Sequence, residues 1–247
     1  MTGLAALITA IAALIAAIVW PVSLIVLFLL FRAQILLAAE NVPALVKRMR
    51  KVKLGVFEAE LEKETEGLVD AALADPSKIS PQQIRSATRV QVAARALDDQ
   101  ALRAQLKQLS LEFDILRKTL PSGRERSRAM TEMLVKMRTI GPALSHLIGE
   151  LKASDSPGER LAAIAMMQLD PDLLDLDWLL DRFKSDPPFL FFQSAFALKN
   201  AARLLGPEDD AKIRQTAEKA LQQVMAYAGE PDANTVQLLE EIVGGEN

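Results

Sequence analysis

Three arginines crowd the stretch Pro121-Ser122-Gly123-Arg124-Glu125-Arg126-Ser127-Arg128. Around an expected helix start, Arg124, Arg126 and Arg128 could hold a phosphate or an acidic partner, because guanidinium forks and free backbone N–H groups both favour an anion there. The alternative is a solvated turn between two helices. A second candidate is the run Phe189-Leu190-Phe191-Phe192. Three adjacent large residues cannot all face one side of a helix, so Phe192 is expected in the core and Phe189 and Phe191 in an exposed docking patch.

Catalytic chemistry is poorly supplied. The single histidine, His146, keeps helical spacing with Leu144, Leu147 and Leu151, and no triad or metal partner is identifiable nearby. The pairs Asp98-Asp99, Asp209-Asp210 and Glu240-Glu241 are adjacent in sequence and so do not share a helix face, which makes them poor acid/base pairs. Asp170, Asp172, Asp175 and Asp177 suit the positive end of a helix dipole and lack the spacing of a calcium loop. Neither a phosphate-binding glycine loop of the Walker type nor a dinucleotide fingerprint occurs. The chain has no cysteine, which rules out disulfides, thiolate catalysis and Cys-based metal sites and fits a reducing compartment. A net charge of -3 sets up no field for nucleic acid. These features predict a protein that is not an enzyme and uses no cofactor or metal.

The elements that would carry such sites are of two kinds. From Leu4 to Phe31 the chain is uncharged, longer than the roughly 20 residues a helix needs to cross a bilayer. Pro21 near its middle predicts a kink, with Trp20 facing lipid or a partner. A cleaved signal peptide would need a basic stretch ahead of a shorter apolar core. A hairpin at Trp20-Pro21 would leave backbone groups unpaired in lipid, and a soluble core helix is rarely apolar on every face. One spanning helix is therefore expected over residues 1–31. Arg32, Lys47, Arg48, Arg50, Lys51 and Lys53 follow it, against the single acid Glu40. That asymmetry predicts a single-pass protein with its N-terminus outside and its C-terminal side in the cytoplasm. The cluster could also bind anionic headgroups, at about 1 kcal/mol per basic residue.

Residues 32–61 form a basic juxtamembrane segment, interrupted by Pro43. Apolar and charged positions alternate along Val52-Lys53-Leu54-Gly55-Val56-Phe57-Glu58-Ala59-Glu60-Leu61, the pattern of one short strand. A lone strand wants a partner for its edge, so pairing between copies in a homo-oligomer is one expectation and an extended linker the other. Residues 62–80, polar with Gly67 and Asp75-Pro76-Ser77, read as a linker.

Residues 81–247 are expected to be all α. Ser80-Pro81 with Gln83 and Ser156-Pro157 with Glu159 have the composition of capping boxes. Asp170-Pro171, Asp186-Pro187, Gly206-Pro207 and Glu230-Pro231 mark further starts, and Gly141-Pro142 a break. Leu102, Leu106, Leu109, Phe113, Leu116 and Leu120 follow the steps of a coiled-coil seam, read as a helix packing into its own bundle rather than a subunit interface. Aromatics are only 5% of the chain, and Leu, Ala, Ile and Met supply the apolar surplus, as suits helices. Between residues 156 and 243 the spacings Arg160/Ala163/Met166, Phe192/Ala195/Leu198 and Arg214/Ala217/Ala220 repeat. Small central residues let helices approach, so a short HEAT-like solenoid or a compact bundle is predicted.

Trp20-Pro21, the basic run ending in Gly55-Val56-Phe57-Glu58, Pro121-Ser122-Gly123-Arg124 and Ser156-Pro157-Gly158-Glu159-Arg160-Leu161-Ala162-Ala163 carry a resemblance, continued by Asp177-Trp178-Leu179 and Pro188-Phe189. The chain resembles bacterial single-pass membrane-anchored proteins with a HEAT-like helical cytoplasmic domain. The resemblance brings no catalytic residues; it implies an inner-membrane setting and a helical sensing or interaction domain. Two functions fit. One is a scaffold or adaptor that binds a cytoplasmic protein. The other is an oligomerising effector that perturbs the bilayer on sensing a signal, for instance in cell defence, its helices associating through small residues such as Ala5, Ala6, Ala12 and Ala16.

Overall fold

A computed structural model describes residues 61–63, 65, 67–94, 99–228 and 231–245. The expected spanning segment, the basic cluster from Arg32 to Lys53 and all of the expected strand except Leu61 lie outside the described residues. Among the described residues no helix is long and apolar enough to cross a membrane, and every regular element is helical.

Among the described residues, after the helical residues at 61–63 and 65, ten α-helices follow in order: α1 (Leu68–Ala74), α2 (Pro81–Ala94), α3 (Asp99–Thr119), α4 (Arg124–Ile140), α5 (Ile148–Lys152), α6 (Pro157–Leu169), α7 (Leu176–Ser185), α8 (Pro188–Leu204), α9 (Pro207–Met225) and α10 (Ala233–Gly244). A 3-10 segment, Gly141–Leu147, joins α4 to α5, and a shorter one, Pro171–Leu173, precedes α7. Alternate helices α4, α6, α8 and α10 form one row, each packed on the next; α3 lies against α4 and α6, while α7 and α9 flank α8. The first two helices, α1 and α2, both pack on α4.

The proline signals place most of these starts. Ser156 caps α6 by accepting the Glu159 amide at 3.2 Å, and Ser80 accepts the Gln83 amide at 3.1 Å. Neither start closes the reciprocal half of a capping box. The backbone N–H of Ser156 donates to Ser154 Oγ instead, and the Gln83 side chain crosses to Thr139 Oγ1 at 2.9 Å. At Gln83 a tertiary partner outcompetes the local loop; at Ser156 the competing acceptor is the serine two residues before it. Helix α10 begins two residues beyond Pro231, where Asp232 accepts the Thr235 amide at 3.0 Å.

Helix α6 is buried on every side from Leu161 to Gln168, which its alanines permit by letting neighbours close in all round. Ala163, Ala195 and Ala217, the central residues of the three repeated spacings, are all fully buried. The seam Leu102, Leu106, Leu109, Phe113 and Leu116 on α3 is buried too, within this chain, on the helix that packs against α4 and α6.

Residues 62–80 depart from expectation. They are not merely a linker: α1 packs on α4, Leu68 is buried, and Glu62 meets the buried Lys136 at 2.5 Å. Leu61, expected at the end of a strand, is helical and buried.

Helix α10 is tied to α8 by Lys199 and Glu241, 2.6 Å apart and both partly shielded. The Lys199 hydrogen bond holds the Glu241 carboxyl below its ordinary range, against the opposing effect of burial and helped by Gln237. A carboxyl depressed in the folded state adds stability that is present above its unfolded pKa and is lost as pH falls through the lowered value. Glu241→Gln is therefore expected to cost up to about 1 kcal/mol at neutral pH and to flatten the acid limb of the stability curve, as read by urea titrations at several pH values. An unchanged acid limb would contradict the assignment.

Candidate functional site

The three arginines at the start of α4 are not all brought to one place. Arg128 pairs with Asp70 of α1 at 2.8 Å, and Arg124 is exposed at the helix start. Arg126 turns the other way, donating to Ser122 Oγ at 2.7 Å and to the Leu120 carbonyl at 3.4 Å, and lines a cavity of about 420 Å³. Arg126 and Arg128 thus engage different partners, and of the three only Arg126 lines this cavity.

The cavity lies where α1, α3, α4, α8 and the start of α10 meet. Leu73, Met130, Phe189 and Phe192 supply apolar wall, and Pro187 and Pro188 line it without offering a backbone donor. Phe189 is half-buried, its ring 5.7 Å from that of Phe113. Phe191 corrects the expected patch: it is buried, packed against Phe183 and edge-on to Tyr227. With a helical turn of 3.6 residues, Phe189 and Phe192 share the cavity face while Phe191 points into the core.

Two polar residues mark this site. Arg117, in the last turn of α3, lines the cavity, and its buried Nε has no hydrogen-bond partner among the described residues. The other is the side-chain amide of Gln193, a residue only 4% exposed. Its orientation is set from behind. Arg138 Nη2 and Gln168 Nε2 donate to Gln193 Oε1 at 3.3 and 3.1 Å. Because a guanidinium can only donate, the amide oxygen must face Arg138, which leaves the NH2 group for the cavity side.

Arg138 itself is buried without a carboxylate partner among the described residues. It donates to Gln168 Oε1 at 2.7 Å, and its guanidinium lies 5.2 Å from the centre of the Phe196 ring. Burial lowers its pKa to about 9. The network ties α4, α6 and α8 together just behind the cavity wall.

The other sequence candidates have structural roles. Asp175 caps α7 through the Trp178 amide at 3.0 Å and pairs with Lys152, while Asp170 caps the 3-10 turn through the Asp172 amide. Burial opposes ionisation of Asp175, but Lys152 and the Trp178 amide outweigh it and hold its carboxyl below the ordinary range. Asp209 and Asp210 pair with Lys212 and Arg214 on their own helix. His146 is exposed on the 3-10 segment. No group of three or more potential metal-ligating side chains occurs among the described residues.

Sequence reasoning missed Arg117 and Gln193. A basic residue in a last helical turn suits the dipole and carries no further signal, and Gln193 becomes distinctive only when Arg138 is packed behind it. Comparison with protein-family models, curated proteins and solved structures returned no significant match.

Proposed function

We propose that the chain is a membrane-anchored scaffold or adaptor. A single apolar helix near residues 4–31 holds it in a bacterial inner membrane, and the helical unit recruits a cytoplasmic protein through the cavity between α3, α4 and α8. The observation that carries this reading is the cavity itself. Arg117, Arg126 and Gln193 line a cavity with largely apolar walls, and Arg117 Nε has no hydrogen-bond partner among the described residues. Such a combination of apolar surface and a few convergent polar groups is what binding sites offer. The uncharged segment with its basic flank supports the anchor. The row α4, α6, α8 and α10 supports a short HEAT-like solenoid, an architecture that presents extended binding surfaces.

Fractionation and affinity capture test the two halves separately. Full-length protein is expected to sediment with membranes and to need detergent for release. A protein captured from membranes by the full chain is expected to be lost from the Arg117→Gln/Arg126→Gln variant. A freely soluble full-length product would refute the anchor. Dye leakage from vesicles that depends on residues 1–31, with no captured protein sensitive to the cavity variants, would favour a bilayer-perturbing effector instead.

A further inference from the structure

We infer that the cavity takes a peptide segment of the partner in which a carboxylate sits next to a large apolar side chain. The inference rests on the adaptor reading and names the chemistry of its partner.

Charge complementarity selects the anion. Arg117 and Arg126 bring two guanidiniums to one cavity, and the Gln193 amide, held NH2-outward by Arg138 and Gln168, adds a neutral donor. Asp232 also lines the cavity, where its Oδ2 accepts both the amide and the hydroxyl of Thr235, at 3.0 and 2.6 Å, to start α10; its single negative charge is outnumbered by the two guanidiniums. An arriving carboxylate can accept bidentate, charge-assisted bonds from a guanidinium, and Arg117 lines the cavity with its Nε unpartnered among the described residues.

The walls select what is attached to that anion. Phe189 and Phe192 present rings one helical turn apart, with Met130 and Leu73 beside them. A volume of about 420 Å³ holds an acidic side chain and one or two large neighbours. A fatty anion would have the right charge, but an acyl chain needs a continuous apolar tunnel. Here the apolar lining is broken by Ser127, Thr131 and Asn234, whose side chains both donate and accept and so suit a peptide backbone.

The test is selection of a random eight-residue peptide library on the full-length protein in detergent, followed by anisotropy titration of the selected peptides. Selected sequences are expected to place Asp or Glu beside Phe, Leu, Met or Trp. Exchanging that acid for its amide is expected to weaken binding at least tenfold, as are Arg117→Gln and Arg126→Gln, with Phe189→Ala weakening it several-fold. Circular dichroism melts check folding, and Arg124→Gln, which lies off the cavity, keeps the affinity of the parent. Selected peptides lacking an acid, or affinities indifferent to both cavity arginines, would overturn the inference. So would laurate binding to the cavity when no peptide is enriched. If a captured cytoplasmic protein survives the Arg117/Arg126 variants, the adaptor reading stands and the cavity chemistry falls; if library peptides bind as described while no cytoplasmic protein is captured, the chemistry stands and the adaptor reading falls.

Discussion

Gly158→Ala is expected to destabilise the helical unit by about 3 kcal/mol, near the upper end for overpacking a tight contact. Gly158 sits at the start of α6, where a Cβ would lie 2.1 Å from the Ser110 carbonyl oxygen and 2.7 Å from its carbon. Both obstructing atoms are backbone, so no rotamer change relieves them. Nor can the helices slide apart. Asp114 of α3 accepts the Gly158 amide at 3.0 Å and the Ser156 hydroxyl at 2.6 Å, pinning the start of α6 onto α3 at this point. Alanine is preferred over glycine in helices by up to about 1 kcal/mol, which is too little to offset the collision. Gly149→Ala in α5 is the control: nothing lies within 4 Å of its added methyl, so it is expected to be neutral or slightly stabilising. Urea denaturation of the two variants gives the comparison. Equal midpoints for Gly158→Ala and the parent would show that α3 and α6 do not approach this closely.

Asp186→Ala is expected to cost about 3–5 kcal/mol, the range for removing one member of a buried ionic group. The Asp186 side chain is fully enclosed and joins two arginines. Arg160 Nε donates to both of its oxygens, at 3.0 and 3.1 Å, and Arg160 Nη2 makes a further short contact with Oδ1. Arg182 Nη1 donates to Oδ2 at 3.1 Å. Removing the carboxylate leaves two guanidiniums, each about seven-eighths shielded, facing one another without an anion. Their remaining bonds, from Arg160 to the Ser154 carbonyl and from Arg182 to the Trp178 carbonyl, together with the Trp178 ring 4.6 Å from Arg182, do not neutralise charge. Asp186→Asn keeps the shape but turns a donor toward a guanidinium, so most of the loss remains. By contrast, Asp209→Ala breaks only an exposed pair with Lys212 and is expected to change stability by less than about 0.5 kcal/mol. Similar losses for Asp186→Ala and Asp209→Ala would show that the buried triad holds nothing together.

Arg160 illustrates how much of this was legible beforehand. Its helix, its spacing to Ala163 and Met166, and the capping Ser156 follow from local pattern. That it reaches Asp186, 26 positions away, does not. The arginine cluster shows the same divide. Sequence placed Arg124, Arg126 and Arg128 at a helix start, and α4 does begin at Arg124. Arg126 diverges by about 200° from Arg124 and from Arg128, which lie four residues apart on one face, so Arg126 alone of the three lines the cavity, joined there by Arg117 of α3.

From residue types and spacing alone followed the all-helical character of the described residues, most helix starts, the break at Gly141-Pro142 and the inward-facing seam of α3. These are local matters: proline geometry, capping oxygens and a 3.6-residue period act over a few positions and need no knowledge of neighbours. Packing decided the rest. It placed the packed helix α1 within the stretch read as a linker, buried Phe191, sent Gln83 to Thr139 rather than to its own helix start, and turned the Gln193 amide oxygen toward Arg138 beside a cavity. Each of those outcomes depends on which buried polar group competes for which partner once water is excluded, and that competition exists only after the helices have met.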